Sequence, residues 1–353
     1  MSKINDFLED ALRKTAPTEL EDLLEFYVLC AQSRGDSEKT IGQTRTVVNL
    51  LKEYLGNQRL STNVSQIGPM EIRGFIRDLQ QRPKFAHHPY AKPQVGTLSP
   101  HSINSYLRAL RAAWNGWLTE ELVESSPFSK VRIPKVPKKV IPTFSEQQLS
   151  GFFNAIDIST PEGLRDYSLF LMYLDTLARL SELTNLKVED LGLKQGIARV
   201  IGKGGKERVL VFGIRVQKHL WKYIKKQRPS PASPRYNFVF LTRDGYPLTK
   251  NRVEKSMKRY ARKANITGVR CSPHTLRHTG CLLWLRRGGD IFTLQRLTGH
   301  SSLEVLKGYL NLAQSDVALA HRKYSPADNL EIGKLRNKLG LQSGKELRIP
   351  YNK

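Results

Sequence analysis

Residues 272–311 read SPHTLRHTGCLLWLRRGGDIFTLQRLTGHSSLEVLKGYLN, and they combine helix signals with two closely spaced histidines, an arginine and a tyrosine. Ser272 is an expected helix N-cap and the proline after it suits a first helical position, so a helix is predicted from there to residue 287. His274 and Arg277 then lie one turn apart on one face, at the helix end whose backbone N–H groups attract anions. The stretch therefore predicts a phosphate site. The alternative is an exposed His274 and an Arg277 that pairs with a surface acid.

Four further side chains extend this candidate site. His300 and Tyr309 follow at a separation of nine residues, and Arg179 and Lys203 lie upstream. Arginines can hold two oxygens of one anion, and a tyrosine hydroxyl can attack it. Two arginines, two histidines, a lysine and a tyrosine are sufficient to break a phosphodiester without a metal. For Arg179 taken alone, an ion pair with Glu182 is the more ordinary interpretation.

Two other kinds of site can be compared with the same residues. His274 and His278 have the i, i+4 spacing of two zinc ligands, but Thr275 stands where a metalloprotease needs Glu. Residues 202–207, GKGGKE, resemble a P-loop only in composition, because the lysine precedes Glu rather than Ser or Thr. Neither a metal site nor a nucleotide site is predicted.

Composition sets the class of partner. The chain has 353 residues, with 57 Lys and Arg against 32 Asp and Glu, which gives a net charge of +25. That excess favours a polyanion such as nucleic acid. No apolar run is long enough to span a membrane, and the first residues do not form a signal peptide. The three cysteines, Cys30, Cys271 and Cys281, lack metal-site spacing and indicate a reduced, cytoplasmic protein.

The chain is predicted to be mainly α with a small β-hairpin, in two domains. Residues 17–126 carry four amphipathic patterns, with helices expected from about 20, over 37–55 and 70–80, and after 99. Residues 82–96 are rich in proline and predicted to be a loop. Residues 127–142 hold four prolines and five basic residues and are the expected linker. The predicted division is a 1–16 extension, a 17–126 helical domain, a 127–142 linker, a 143–325 mixed domain and a 326–353 tail.

The second domain combines helices with one hairpin. Residues 196–201 and 208–212 are β-rich runs on either side of a glycine turn. Helices are predicted over 145–154, 163–178, 216–227, 249–265, 272–287 and 290–297.

The order of the motifs is more specific than any one of them. RLSEL (179–183), GKGGKER (202–208), HTLRHT (274–279) and LTGHSSLEVLKGYLN (297–311) together resemble the tyrosine recombinase family of phage integrase, Xer and Cre-like enzymes. The resemblance covers about residues 17–325. It implies a SAM-like helical core-binding domain, a mixed α+β catalytic domain, and site-specific recombination of duplex DNA.

The resemblance implies a role for each candidate residue. Tyr309 would attack the scissile phosphate and form a 3′-phosphotyrosyl bond, while Arg179 and Arg277 hold the non-bridging oxygens. Lys203 would be the general acid for the departing 5′-oxygen, with Lys206 as a substitute. The stored phosphotyrosyl bond makes a nucleotide cofactor unnecessary, and no metal is implied.

Three residues would support these groups. The resemblance implies that His274 assists proton transfer from Tyr309 and that His300 hydrogen-bonds the phosphate. It also implies that Glu182 supports the residues that touch the substrate without touching it itself. A homotetramer on two DNA sites, exchanging a C-terminal segment between neighbours, is the implied assembly. Basic residues on the second and fourth helices and on 249–265 would contact DNA, mostly at phosphates. They are Lys39, Arg45, Arg108, Arg111, Lys250, Arg252, Lys255 and Arg259.

Three alternative functions have different signatures. A type IB topoisomerase-like enzyme shares the chemistry and would relax DNA without a specific site. A DNA-binding regulator that has lost catalysis would not need the six catalytic side chains. A metal-dependent nuclease would be inhibited by EDTA.

Overall fold

A computed structural model describes residues 18–84, 94–136, 142–202 and 205–300, together with 302, 303, 306, 309, 321 and 325–328. The chain divides into two units, Met1–Lys139 and Val140–Lys353. The predicted five-part division of the chain stays a prediction. None of the described helices is long and apolar enough to cross a bilayer.

Four α-helices lie among the described residues of the first unit, and two of them begin at serine caps that the sequence carries. The Ser37 side chain accepts a hydrogen bond from the backbone N–H of Thr40, and the Ser99 side chain accepts one from Ser102. Such a cap satisfies one of the backbone donors that a helix start leaves open. The helices are α1 (Leu20–Ser33), α2 (Glu38–Asn57), α3 (Pro69–Gln81) and α4 (Pro100–Thr119).

Two tryptophans of α4 occupy the centre of this bundle. Trp114 and Trp117 are fully buried, with ring centroids 5.2 Å apart. The indole Nε1 of Trp117 donates to the carbonyl oxygen of Leu23 at 2.9 Å, so this polar group is satisfied inside the core. The contact ties α4 to α1.

The first part of the expected linker packs on this bundle. Phe128 lies in the 3₁₀ helix Pro127–Ser129 and is 1% exposed. Asn104 Nδ2 donates to the carbonyl oxygen of Pro134 at 2.9 Å, and Arg111 Nη2 donates to that of Phe128 at 3.1 Å. Basic and proline-rich composition alone did not predict this attachment.

The stretch predicted to be a loop over 82–96 contains strand pairing at its two ends. β1 (Pro83–Lys84) and β2 (Gln94–Thr97) pair antiparallel, with Pro83 opposite Thr97. The loop prediction was wrong there, because strands of two and four residues are too short to show a clear alternation. Residues 85–93 lie outside the described part.

The second unit combines a small antiparallel sheet with seven helices among its described residues. The sheet has the order β3 (Leu191–Gly192), β4 (Ile197–Ile201) and β5 (Glu207–Val211). The helices are α5 (Glu146–Asn154), α6 (Pro161–Thr176), α7 (Leu180–Thr184), α8 (Ile214–Lys222), α9 (Lys250–Lys263), α10 (Pro273–Arg286) and α11 (Ile291–Thr298). A mainly helical fold with a small sheet is confirmed.

The predicted hairpin is present, and its strand pairing ends one residue before Gly202. Ile197 lies opposite Val211 and Ile201 opposite Glu207, and the Gly202 N–H donates to the Lys206 carbonyl oxygen at 2.7 Å. The helix predicted over 216–227 is α8 followed by a π-helical turn, Tyr223–Gln227. The short helix α7 was not predicted.

Candidate active site

Arg277 is the buried centre of the candidate site. It lies in α10, whose N-cap Ser272 accepts a hydrogen bond from the Thr275 N–H at 3.3 Å, as the sequence predicted. The Arg277 residue is 6% exposed, and its Nη2 donates to the carbonyl oxygen of Thr298 at 2.7 Å. Its Nη1 is buried and has no hydrogen-bond partner among the residues that the structure describes. Burial lowers the pKa of this guanidinium, since the charged form has lost water.

Arg179 is held beside it from two directions. Its Nη2 donates to the carbonyl oxygen of Gly299 at 2.9 Å, and its Nη1 lies 3.2 Å from Glu182 Oε1. Arg179 is the N-cap residue of α7, and its own backbone N–H donates to Glu182 Oε2 at 2.6 Å. The ion pair weighed as the ordinary alternative is therefore present, and it also orients the Arg179 guanidinium.

Glu182 has a second cationic partner that the sequence reasoning missed. Arg208, on β5, donates through Nη2 to Glu182 Oε2 at 2.7 Å and through Nε to Oε1 at 3.2 Å. Burial alone would raise the pKa of Glu182, but the hydrogen bonds from Arg208 and Arg179 outweigh it and hold the pKa below its usual value. The available signal was the arginine that ends the GKGGKER motif.

His300 follows the left-handed residue Gly299, which ends α11 with a φ of +65°. Its Nδ1 is 3.0 Å from Thr298 Oγ1 and its Nε2 is 3.3 Å from Arg277 Nη2. A guanidinium only donates, so Nε2 is the acceptor and the ring proton belongs on Nδ1. Burial and the charges of Arg277 and Arg179 lower the pKa of His300 to about 4, which agrees with a neutral ring.

Tyr309 is buried, at 5% exposure, in an apolar cluster that includes Leu177 and Cys281. Its hydroxyl is hydrogen-bonded to Nδ1 of His278. His274, the residue that the resemblance assigned to this proton, is exposed in the opening turn of α10. His278 was considered in the sequence only as a zinc ligand. Among the described residues, no group of three side chains could hold a metal ion.

The hairpin reaches the same site at Gly202. A Cβ built on this glycine would lie 3.4 Å from Glu182 Oε1 and 3.9 Å from Arg179 Nη1. The predicted general acid, Lys203, is the next residue in the chain, and it lies outside the described residues. Lys206 is exposed on the returning side of the hairpin.

The basic side chains expected to contact DNA share one property, which is exposure. Arg259 is the most engaged of them, because its Nη2 donates to Tyr260 Oη at 3.0 Å and lies 3.7 Å from Asp166. That carboxylate and burial raise the pKa of Tyr260 to about 12, with burial the larger cause. The eight exposed residues are Lys39, Arg45, Arg108, Arg111, Lys250, Arg252, Lys255 and Arg259.

Comparisons with known proteins identify the family of the chain. Residues 142–316 match the phage integrase family. The tyrosine recombinase XerD of Yersinia pestis is 31% identical over 296 residues, which cover 83% of this chain and 93% of XerD. The integrase of the Tn1549 transposon, solved in complex with transposon right end DNA, superposes with a TM-score of 0.66 at 21% identity, covering 85% of this chain and 98% of that one.

A lambda integrase tetramer bound to a Holliday junction has a similar subunit fold, with a TM-score of 0.61 at 17% identity over 84% of this chain and 81% of that chain. At these identities the two structures show a shared fold alone, whereas the family match and the 31% identity to XerD show which family the chain belongs to. The chain belongs to the phage integrase family of tyrosine recombinases, enzymes of site-specific DNA recombination.

Proposed function

We propose that the protein cleaves and rejoins duplex DNA at a specific site through a 3′-phosphotyrosyl bond to Tyr309. The observation that carries this proposal is the buried Nη1 of Arg277, which has no partner among the described residues. A buried unpaired donor is costly, so a guanidinium left in this state is poised for an anion. A DNA phosphate placed there would supply the missing acceptor.

The two arginines would then hold one phosphate between them. Arg277 offers Nη1, and Arg179, whose side chain is 33% exposed, offers the part of its guanidinium that faces solvent. Each is already fixed to a backbone carbonyl oxygen, at Thr298 and at Gly299. Fixed donors stabilise the charge of a pentacoordinate phosphorus without reorganising during the reaction.

The leaving 5′-oxygen needs a proton when its bond to phosphorus breaks. We assign Lys203 to that step, because Gly202 brings the hairpin to Arg179 and Glu182. Lys206 is the alternative donor on the same hairpin. In the reverse, rejoining step the same lysine, now neutral, would take the proton back from the attacking 5′-hydroxyl.

The histidines would act on either side of the phosphate. His300 already contacts Arg277 through Nε2, so a phosphate on that arginine would lie next to its imidazole, which would donate to the phosphate once Nε2 carries a proton. His274 is exposed on the same helix face as His278, and the resemblance gives it a part in proton transfer from Tyr309. The proposal places both imidazoles at the reacting centre.

The adduct itself provides the test. Purified protein is incubated with duplexes from the DNA that flanks its own gene, and covalent complexes are separated under denaturing conditions and mapped. We expect adducts at a defined position, attached at the 3′-phosphate, and formed in excess EDTA without ATP. The Tyr309→Phe variant should bind the same duplex and form none, since only the nucleophilic oxygen is removed. Wild-type levels of adduct from that variant would overturn the assignment of Tyr309.

The lambda integrase tetramer suggests how the chain assembles. We propose that four copies act on two DNA sites, in the cytoplasm. A groove of about 990 Å³ in the second unit is lined by apolar side chains such as Leu174, Leu283 and Trp284, next to Ile214, which is 81% exposed. We assign this groove to residues 326–353 of a neighbouring copy, whose five leucines and two isoleucines are interspersed with six basic residues.

Truncation separates exchange between copies from packing within one copy. A chain that ends at residue 325 should bind a single half-site and keep its melting temperature, but lose synapsis and recombination. Unfolding of the truncated monomer, or unchanged recombination, would contradict the exchange.

A further inference from the structure

The partner of the Tyr309 hydroxyl is a histidine that directly follows the phosphate-binding arginine. His278 and Arg277 are neighbours in α10, and Nδ1 of His278 is hydrogen-bonded to Tyr309 Oη. The two rings lie with their centroids 5.4 Å apart, tilted by 39°. Tyr309 is 5% exposed, so water has little access to its hydroxyl. A proton that leaves this oxygen therefore needs an acceptor provided by the protein.

We propose that His278 is the catalytic base that accepts the phenolic proton of Tyr309. In this step the O–H bond of Tyr309 breaks and its proton forms a bond to Nδ1 of His278. The phenolate oxygen forms a bond to phosphorus, the bond from phosphorus to the 5′-oxygen breaks, and that oxygen takes a proton from Lys203. Atoms and charges balance without a metal or a further reactant. This inference rests on the proposed function of Tyr309 as the nucleophile.

In the free protein the His278 ring is unprotonated. Burial, and next the charges of His274 and Arg277, lower the pKa of His278 to about 4, so its ring is neutral at pH 7 and a lone pair is available on one nitrogen. The titratable groups that face the ring are Tyr309, His274 and Arg277, with His300 beyond Arg277.

A bound phosphate changes that balance. It brings negative charge to Arg277, the residue next to His278, and so favours the imidazolium that forms when Tyr309 gives up its proton. The base is therefore weak in the free protein and stronger when DNA occupies the arginines. Activation of the nucleophile would depend on the presence of the phosphate that it attacks.

His278→Asn separates the hydrogen bond from the proton transfer. The Asn Oδ1 can stand near the position of Nδ1 and accept the bond, but an amide does not take the proton. Single-turnover adduct formation is measured on a nicked duplex that carries the site mapped for the wild-type protein. We expect the rate at neutral pH to fall by about 10²–10⁴-fold and to increase steadily with pH, as hydroxide replaces the lost base. His219→Asn is the matched control, since it makes the same change on α8, away from the described site residues.

His278→Ala adds a readout that a purely structural role would not affect. Free imidazole should restore part of the cleavage rate by entering the space left by the ring, and more basic imidazoles should restore more of it. Peptide mapping of the rescued adduct should find Tyr309. Wild-type or faster cleavage by the Asn and Ala variants would overturn the proposal and leave His278 as a group that only holds the hydroxyl in the free protein. An adduct on another residue would instead overturn the proposed function.

Discussion

Replacement of Glu182 by glutamine would test how the two arginines of the site are supported. Glu182 is 3% exposed and accepts hydrogen bonds from Arg179 and Arg208. The substitution keeps the size of the side chain but removes its charge, and it turns an NH₂ group toward two groups that only donate. Loss of one partner from a buried ion pair costs about 3–5 kcal/mol. We expect about 3 kcal/mol, because Arg179 is 33% exposed and water can solvate it.

Two measurements distinguish stability from function. A loss of this size should lower the melting temperature by about 6–12 °C. Cleavage should fall by on the order of 10²-fold, because the Arg179 fork loses its orientation. Glu189→Gln is the matched control, since the Glu189 pair with Lys187 is exposed and worth less than about 1 kcal/mol. If Glu182→Gln melted within about 2 °C of the wild type and cleaved normally, the proposed support of Arg179 would be refuted.

Three further predictions concern the same site. Arg277→Lys should bind DNA but cleave poorly in the single-turnover assay, since a point charge cannot replace a planar donor that holds Thr298 and phosphate together; normal cleavage would place Arg277 outside the site. Lys203→Ala should be rescued by a substrate with a 5′-bridging sulfur, whose thiolate leaves without a proton, and rescue of Lys206→Ala instead would move the acid to Lys206. Stability against denaturant should fall as the pH decreases from about 6.5 to about 4, because the unfolded chain binds protons at His278 and His300 that the folded protein, with pKa values of about 4, does not. Each ring contributes roughly 3 kcal/mol at most, and an unchanged pH profile in the His300→Asn variant would contradict this.

The helices that were predictable from sequence have local causes. Ser37 and Ser99 precede apolar stripes of helical period, and α2 and α4 begin directly after them. The strands β1 and β2 and the short helix α7 depend on partners that are distant in sequence, so local patterns did not indicate them. The packing of Phe128 on the helical bundle is a similar case, because its environment is created by the tertiary fold.

The residues of the site also fall into those that local motifs indicated and those that depend on partners distant in sequence. Motif spacing indicated Arg179, Arg277 and His300, which the structure brings together through hydrogen bonds to residues 298–300. Arg208 and His278 were missed, since one lies on a strand and the other was hidden in a pattern that suggested a metal. Their partners, Glu182 and Tyr309, are 26 and 31 residues away in sequence. Only the fold determines such pairs.

The attachment of both arginines to main-chain oxygens has a consequence for how this protein can evolve. The carbonyl groups of Thr298 and Gly299 exist whatever side chains stand there, so substitutions along α11, for instance at the exposed Phe292, leave the anchors intact. Chain length is constrained instead, because one inserted or deleted residue would displace both anchors and His300 at once. Two positions are exceptions: Thr298, whose buried hydroxyl lies 3.0 Å from Nδ1 of His300, and Gly299, whose φ of +65° and closeness to Arg208 exclude a Cβ without strain. The exposed positions of this segment can therefore change in composition while its length stays fixed, and an engineer who grafts it between relatives should conserve spacing together with Thr298 and Gly299.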